Sequence, residues 1–409
     1  MKIGMITGAD TAQAGRQVLG PRAIESPFGA RRGGAMNVPF GRDGSILTAE
    51  GWVAGRVYIE NRRITRVQGA LLPPGAPIEP PFVVPGFIDL HVHGGLGGDS
   101  MSGEAALRKT LAYHGSYGTV AMTPTTVTAP IKEIEAALAD IAATQAKPRP
   151  GEAVVLGAHL EGPFLNPGRL GAQASYPRPG EAALASDWAG RFPIAVATVA
   201  PEITCGLDTI RALAAHRCRV QVGHSMASCD QVGDAFACGC TGFTHLFNAM
   251  SGMHHREPGV AVWALAHGEH AEIICDLHHV HRDVILAARR SIPKLYAVTD
   301  ATAAAGMPDG EYRLGDRKVL KRGGKVTLED GETLAGSVIT LADAVRNLVS
   351  IGVPLAEAVA MASTRPAEYL GYADLGRIAA AARASMVQLD ARLRVEAVWI
   401  DGEGVDVAA

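Results

Sequence analysis

Cysteine is scarce in this chain, with 6 among 409 residues and no CxxC pair. That excludes a small-domain disulfide framework and predicts reduced thiols in a cytoplasmic protein. An excess of positive charge is also lacking: 38 Lys and Arg face 41 Asp and Glu, a net charge of −3. No global field therefore recruits nucleic acid or an anionic membrane, although a local cluster of donors could bind a small anion. No uninterrupted apolar run approaches the roughly 20 residues that span a bilayer. Neither a phosphate loop (GxxxxGK followed by Ser or Thr) nor a glycine-rich fingerprint after the first central strand is present, which disfavours the nucleotide-binding folds built on them. What the chain does have is 47% hydrophobic residues, 19% charged ones, 48 Gly and 24 Pro. These proportions predict a soluble globular protein with a large core and many tight turns.

The ends differ from the middle. Residues 1–45 are rich in Gly and Arg, and Gly4, Gly8 and Asp10 break their one early apolar stretch, so no secretory h-region is expected. This segment reads as a poorly ordered extension, with Met36 an alternative start. From Ile46 the pattern becomes strand-like. Trp52 to Glu60 and Arg63 to Val67 flank Asn61-Arg62, a hairpin connection, and Ser385 to Leu389 and Val395 to Ile400 flank Asp390-Ala391-Arg392. Strands at both ends pair when the termini lie close together. The expectation is a small β-sandwich domain from residues 46–84 plus 376–409, flanking a central domain of residues 85–375.

The middle repeats one unit, a short apolar segment, a polar loop and a helical pattern. The apolar segments run Phe87 to His91, Thr119 to Met122, Val154 to Ala158, Ile194 to Ala197, Val220 to Gly223, Thr241 to Thr244, Ile273 to Cys275 and Leu295 to Val298. Eight alternating βα units predict an α/β fold, a (β/α)8 TIM barrel. An excursion from Tyr312 to Thr327, around Arg322-Gly323-Gly324-Lys325, reads as a β-hairpin.

Barrel chemistry sits where strands end. Strand one ends on His91 and His93, whose i, i+2 spacing turns both imidazoles to one side. Strand three ends on Glu161, strand five on His224, strand six on His245, strand seven on Asp276, His278 and His279, and strand eight on Asp300. Any one of these reads equally well as a hydrogen-bonded structural residue. Jointly, imidazoles and carboxylates crowded at one apolar mouth match the ligand set of zinc and similar divalent ions.

These residues also carry a resemblance. Pro85-Gly86-Phe87-Ile88-Asp89-Leu90-His91-Val92-His93-Gly94 resembles the first-strand signature of the amidohydrolase superfamily. His159-Leu160-Glu161-Gly162-Pro163-Phe164, Gly223-His224-Ser225, Thr244-His245-Leu246-Phe247-Asn248-Ala249-Met250, Arg256-Glu257-Pro258-Gly259, Val298-Thr299-Asp300-Ala301 and Leu334-Ala335-Gly336-Ser337 resemble the N-acetylglucosamine-6-phosphate deacetylase family. The likeness runs from about Ile46 to Gly402.

The resemblance implies a divalent metal on Glu161, His224 and His245. Where the site holds two ions rather than one, the second would sit on His91, His93 and Asp300, bridged by Glu161. Zinc is the first expectation, with iron, manganese or cobalt as alternatives. It further implies Asp300 as the proton shuttle, Gln173 as a hydrogen-bond donor polarising the amide carbonyl, and Asn248, the Ala249 amide, Arg256 and His279 as the pocket for an amino-sugar phosphate. A cytoplasmic homodimer follows, with some contacts from the neighbouring subunit. Dihydroorotase- and hydantoinase-like enzymes bridge their metals with a carboxylated Lys on strand four, and Ile194 to Ala200 contains none. A deacetylase for N-acetylgalactosamine 6-phosphate or another N-acyl compound, or a non-catalytic sugar-phosphate-binding barrel, are the alternatives.

Overall fold

The structure, a computed structural model, describes residues 44–408. The expected N-terminal extension falls almost wholly on residues 1–43, which lie outside the described residues.

Both ends of the described chain enter one seven-stranded sheet. Its order is Glu403–Val405, Val395–Ile400, Met386–Leu389, Phe82–Pro85, Gly44–Thr48, Gly51–Glu60 and Arg63–Leu71. Asn61 and Arg62 stand at φ 50° and 66°, the two left-handed residues of the tight turn whose twist matches a hairpin. Phe82–Pro85 is the element the sequence did not announce. It lies at the centre, parallel to Gly44–Thr48 and antiparallel to Met386–Leu389, and so joins the two termini just before the barrel begins. Ile46, Val57, Ile64, Val83, Ala384 and Met386 close the core of this β domain.

All eight anticipated barrel strands are present: Phe87–Val92, Thr119–Pro124, Val154–Val155 continued by Ala158–Glu161, Ile194–Val199, Arg219–Val222, Cys240–Phe243, His270–Ile274 and Lys294–Val298. Successive strands pair in parallel. Two junctions are narrower. The Leu246 N–H donates to the Glu272 carbonyl at 2.9 Å between strands six and seven, and the Asp300 N–H donates to the His91 carbonyl at 2.8 Å between strands eight and one. With the parallel bridge from Val92 to Ala301, that last contact closes the ring. The result is the TIM barrel, whose helices cover strands buried on both faces.

Helices 182–191 and 260–267 were not anticipated. The second, Val-Ala-Val-Trp-Ala-Leu-Ala-His, is apolar all round, so periodicity alone cannot tell it from a strand. The excursion is a three-stranded antiparallel unit, Gly310–Leu314, Arg317–Arg322 and Lys325–Leu328, rather than a single hairpin. Among the described residues no helix is long and apolar enough to cross a membrane.

Candidate metal centre and active site

The strand ends turn sharply to deliver their side chains. His224, His245, Phe247, Ala249, Leu277 and Asp300 all adopt left-handed backbone, with φ between 30° and 80°. Such conformations cost non-glycine residues about 1 kcal/mol or more each and gather where function over-determines them. The structure brings His91, His93, Glu161, His224, His245 and Asp300 to one mouth of the barrel, all with little or no exposure.

Two groups of donors emerge. Glu161 Oε1 lies 3.0 Å from both His224 Nε2 and His245 Nε2, and those two nitrogens are 3.0 Å apart. Glu161 Oε2 lies 3.2 Å from His93 Nε2, whose ring nitrogen is 3.3 Å from His91 Nε2. Asp300 Oδ1 completes the second group at 3.2 Å from His93 Nε2 and 3.5 Å from His91 Nε2. His224 Nδ1 faces the Arg169 carbonyl at 2.7 Å and must donate its proton there, which turns the Nε2 lone pair toward His245. Imidazole nitrogens aimed at one another around carboxylates, with no Lys or Arg among them, fit a divalent cation.

The protonation balance carries the same message. Burial alone would push the His91 imidazole down, yet Glu161, Asp300 and Glu272 hold it well above its usual range. His93 is likewise lifted against burial to about 9 by Asp300 and Glu161. Burial raises Asp300, but His91 and His93 outweigh it and bring the carboxyl down to about 2. With no ion bound, protons on the first-strand imidazoles are the charges that balance these carboxylates.

The centre opens into a cavity of about 400 Å³, within the usual small-molecule range of roughly 300–1,000 Å³. Asp300, His279, Asn248, Ala249 and Gln173 line it together with His93, Glu161, His224 and His245. Arg256 is exposed on the loop before Gly259 and is not part of this lining. Gln173 Nε2 donates to Glu161 Oε2 at 2.5 Å and its Oε1 accepts from the Thr128 N–H at 2.7 Å. Only one of its amide hydrogens is therefore left for a ligand. His279 Nδ1 is 2.7 Å from Asp276 Oδ2, and although burial lowers it, that carboxylate holds the imidazole above its usual value.

Sequence reasoning missed several contributors. Glu332 and Thr333 reach the cavity from the loop after the excursion, and Arg169 from the loop after strand three. Asp89 accepts from the Thr299 hydroxyl at 2.6 Å and pins strand eight just before Asp300. Glu272 accepts from His91 below the centre. A carboxylate amid apolar neighbours on a parallel strand was the available signal for Glu272, because such strands are buried on both faces.

Gly336, at φ 65°, supports Asp300 from behind: a Cβ there would lie 2.6 Å from the Asp300 carbonyl oxygen. The Ser337 N–H donates to that same oxygen at 2.7 Å. Gly336→Ala is expected to displace Asp300 and, with Asp300 in the proton-shuttle role the resemblance implies, to lower kcat roughly hundredfold, since misplacing a reacting group by about 1 Å has that effect. Steady-state kinetics beside a melting curve check this, and wild-type kcat would refute it.

Residues 82–405 match the model of the amidohydrolase family. The chain belongs to that family. Among curated relatives, this amidohydrolase is 39% identical over 341 residues to the N-acetylglucosamine-6-phosphate deacetylase of Vibrio furnissii, covering 81% of this chain and 85% of the relative. It is 38% identical over 381 residues to the N-acetylgalactosamine-6-phosphate deacetylase of Escherichia coli O157:H7, covering 88% and 97%. A solved mutant of the Mycobacterium smegmatis N-acetyl-D-glucosamine-6-phosphate deacetylase, in complex with N-acetyl-D-glucosamine-6-phosphate, superposes with a TM-score of 0.81 at 32% identity. That match covers 89% of this chain and 98% of the other.

Proposed function

We propose that this amidohydrolase removes the acetyl group of N-acetylglucosamine 6-phosphate, giving glucosamine 6-phosphate and acetate. The observation that carries the reading is the shared cavity wall: Glu161, His224 and His245, which fit a divalent ion, stand beside the Asp300 carboxylate and the His279 imidazole. Zinc is our first choice of ion, before iron, manganese and cobalt, with one ion on Glu161, His224 and His245 and a second on His91, His93 and Asp300. A divalent ion there supplies Lewis acidity, making water acidic enough to deprotonate near neutral pH.

The chain's own residues do the rest. Asp300 is ionised at neutral pH and lines the cavity, so it is placed to hold the proton that water gives up as its oxygen bonds to the carbonyl carbon. Returning that proton to the nitrogen lets the C–N bond break with a neutral amine leaving. Gln173 offers its remaining amide hydrogen to the carbonyl oxygen, a polarising contact that cannot transfer a proton. His279, whose imidazole Asp276 lifts above its usual value, and Asn248 serve the sugar phosphate. Arg256 stands outside its own cavity, and we assign it to the cavity of the partner in a homodimer. We place the enzyme in the cytoplasm, where its unpaired cysteines stay reduced.

N-acetylgalactosamine 6-phosphate is the second reading, because the Escherichia coli relative named for it is nearly as similar as the Vibrio one. Acetate release from both epimers and from unphosphorylated N-acetylglucosamine separates the cases. The expected result is fastest turnover of the phosphorylated gluco epimer, with kcat/KM for the unphosphorylated sugar lower by roughly hundredfold for two lost charge-assisted hydrogen bonds. Preference for the galacto epimer selects the second reading, and equal rates with and without phosphate remove the phosphate pocket.

A further inference from the structure

Glu272 takes no part in the chemistry above, yet it is fully buried in the middle of strand seven beside Ala271, Ile273 and Ile274. A carboxylate in such a place costs several kcal/mol unless its oxygens are satisfied, so its partners identify its use. Glu272 Oε2 accepts from His91 Nδ1 at 2.9 Å and from the His245 backbone N–H at 3.1 Å. Its other oxygen faces the Tyr296 hydroxyl at 3.5 Å. From Tyr296 a buried polar layer runs across the barrel. Gln221 Nε2 donates to the Tyr296 hydroxyl at 2.7 Å, Gln221 Oε1 accepts from Thr244 at 2.8 Å, and Thr198 lies between Thr244 and His159 at 2.7 and 2.8 Å. Glu272 is therefore held in place and cannot follow a moving His91.

An ionised carboxylate only accepts, so His91 keeps its hydrogen on Nδ1, and the proton it gives up to a metal is the one on Nε2, which frees that lone pair on the side of His93, Glu161 and Asp300. The same oxygen fixes the backbone of His245, a member of the other donor group. We propose that Glu272 is the positioning residue of this centre: by dictating the His91 tautomer it makes the first-strand pair a second metal site, and through His245 it sets that site's distance from the first. The inference rests on the metal-dependent reading of the centre and is independent of which amide is hydrolysed.

Two variants test it. In Glu272→Gln the His245 N–H, which can only donate, keeps the amide oxygen at the Oε2 position, so His91 retains its acceptor and loses only the negative charge. Glu272→Leu removes the acceptor. Metal-stripped protein is titrated with Co(II), reading ions per chain by elemental analysis and the cobalt absorption spectrum, with a melting curve for each variant. Wild type is expected to bind two ions. Glu272→Gln should also bind two, the weaker one roughly tenfold more weakly, as loss of an outer partner typically does. Glu272→Leu should bind one, with the spectrum of the ion on Glu161, His224 and His245 preserved. Wild-type stoichiometry in Glu272→Leu, a single ion in wild type, or unchanged affinity in Glu272→Gln overturns the proposal. Should Glu272→Leu not fold, the Glu272→Gln affinity decides alone. Acetate release is read separately, so a protein inactive on both sugar phosphates refutes the substrate assignment and leaves the metal titration standing.

Discussion

Asp300→Asn should bind metal at Glu161, His224 and His245 and bind substrate with KM little changed, while kcat falls roughly thousandfold, the scale of lost general acid–base catalysis. The substitution keeps the shape of a side chain whose Oδ1 lies 3.2 Å from His93 Nε2, and removes its negative charge together with its capacity to take and return a proton. With no ion bound, the first-strand imidazoles hold the Asp300 carboxyl down at about 2. Acetate release measured beside metal content checks this prediction. A rate within about tenfold of wild type would leave Asp300 as a ligand without a proton-handling role.

Chelation should abolish turnover, a divalent ion should restore it, and the affinity for that ion should fall as pH falls. The sign follows from the first-strand imidazoles. With no ion bound, His93 is protonated up to about pH 9 and His91 is raised as well, so at neutral pH a metal must displace their protons. Affinity for the ion on His91 and His93 should weaken roughly tenfold per pH unit for each proton displaced, and the share of the slope due to His93 should vanish above about pH 9. Competition against a chromophoric chelator at several pH values measures it. A flat affinity between pH 6 and 8 would mean that these imidazoles are not metal ligands.

Eight βα units and the polar residues at six strand ends were legible because a parallel strand announces itself as a short apolar run, and a His or Asp directly after it breaks that run. The hairpin at Asn61-Arg62 was legible because two strand-like runs flank just two residues, the first of them an Asn, which tolerates the left-handed backbone the turn imposes. Phe82–Pro85 was not, since four residues carry too little pattern and its partners, Gly44–Thr48 and Met386–Leu389, lie far away in the chain. Gln173 was named by the family resemblance, but its hydrogen bonds to Glu161 and Thr128 became visible only when the loop was folded over the barrel mouth.

The sequence by itself determined the residue types at the strand ends, hence the chemistry: imidazoles and carboxylates in an order and spacing that fit a divalent ion and amide hydrolysis. Tertiary structure decided which of them stand together, because Glu161 lies within 3.5 Å of imidazoles from strands one, five and six. It also decided that Glu272, in the middle of a strand, orients His91, and that Arg256 stands outside the cavity of its own chain. Composition and period depend on neighbours along the chain. Distances across a closed ring of strands depend on how the barrel twists and on the left-handed turns at its mouth, which no local pattern records.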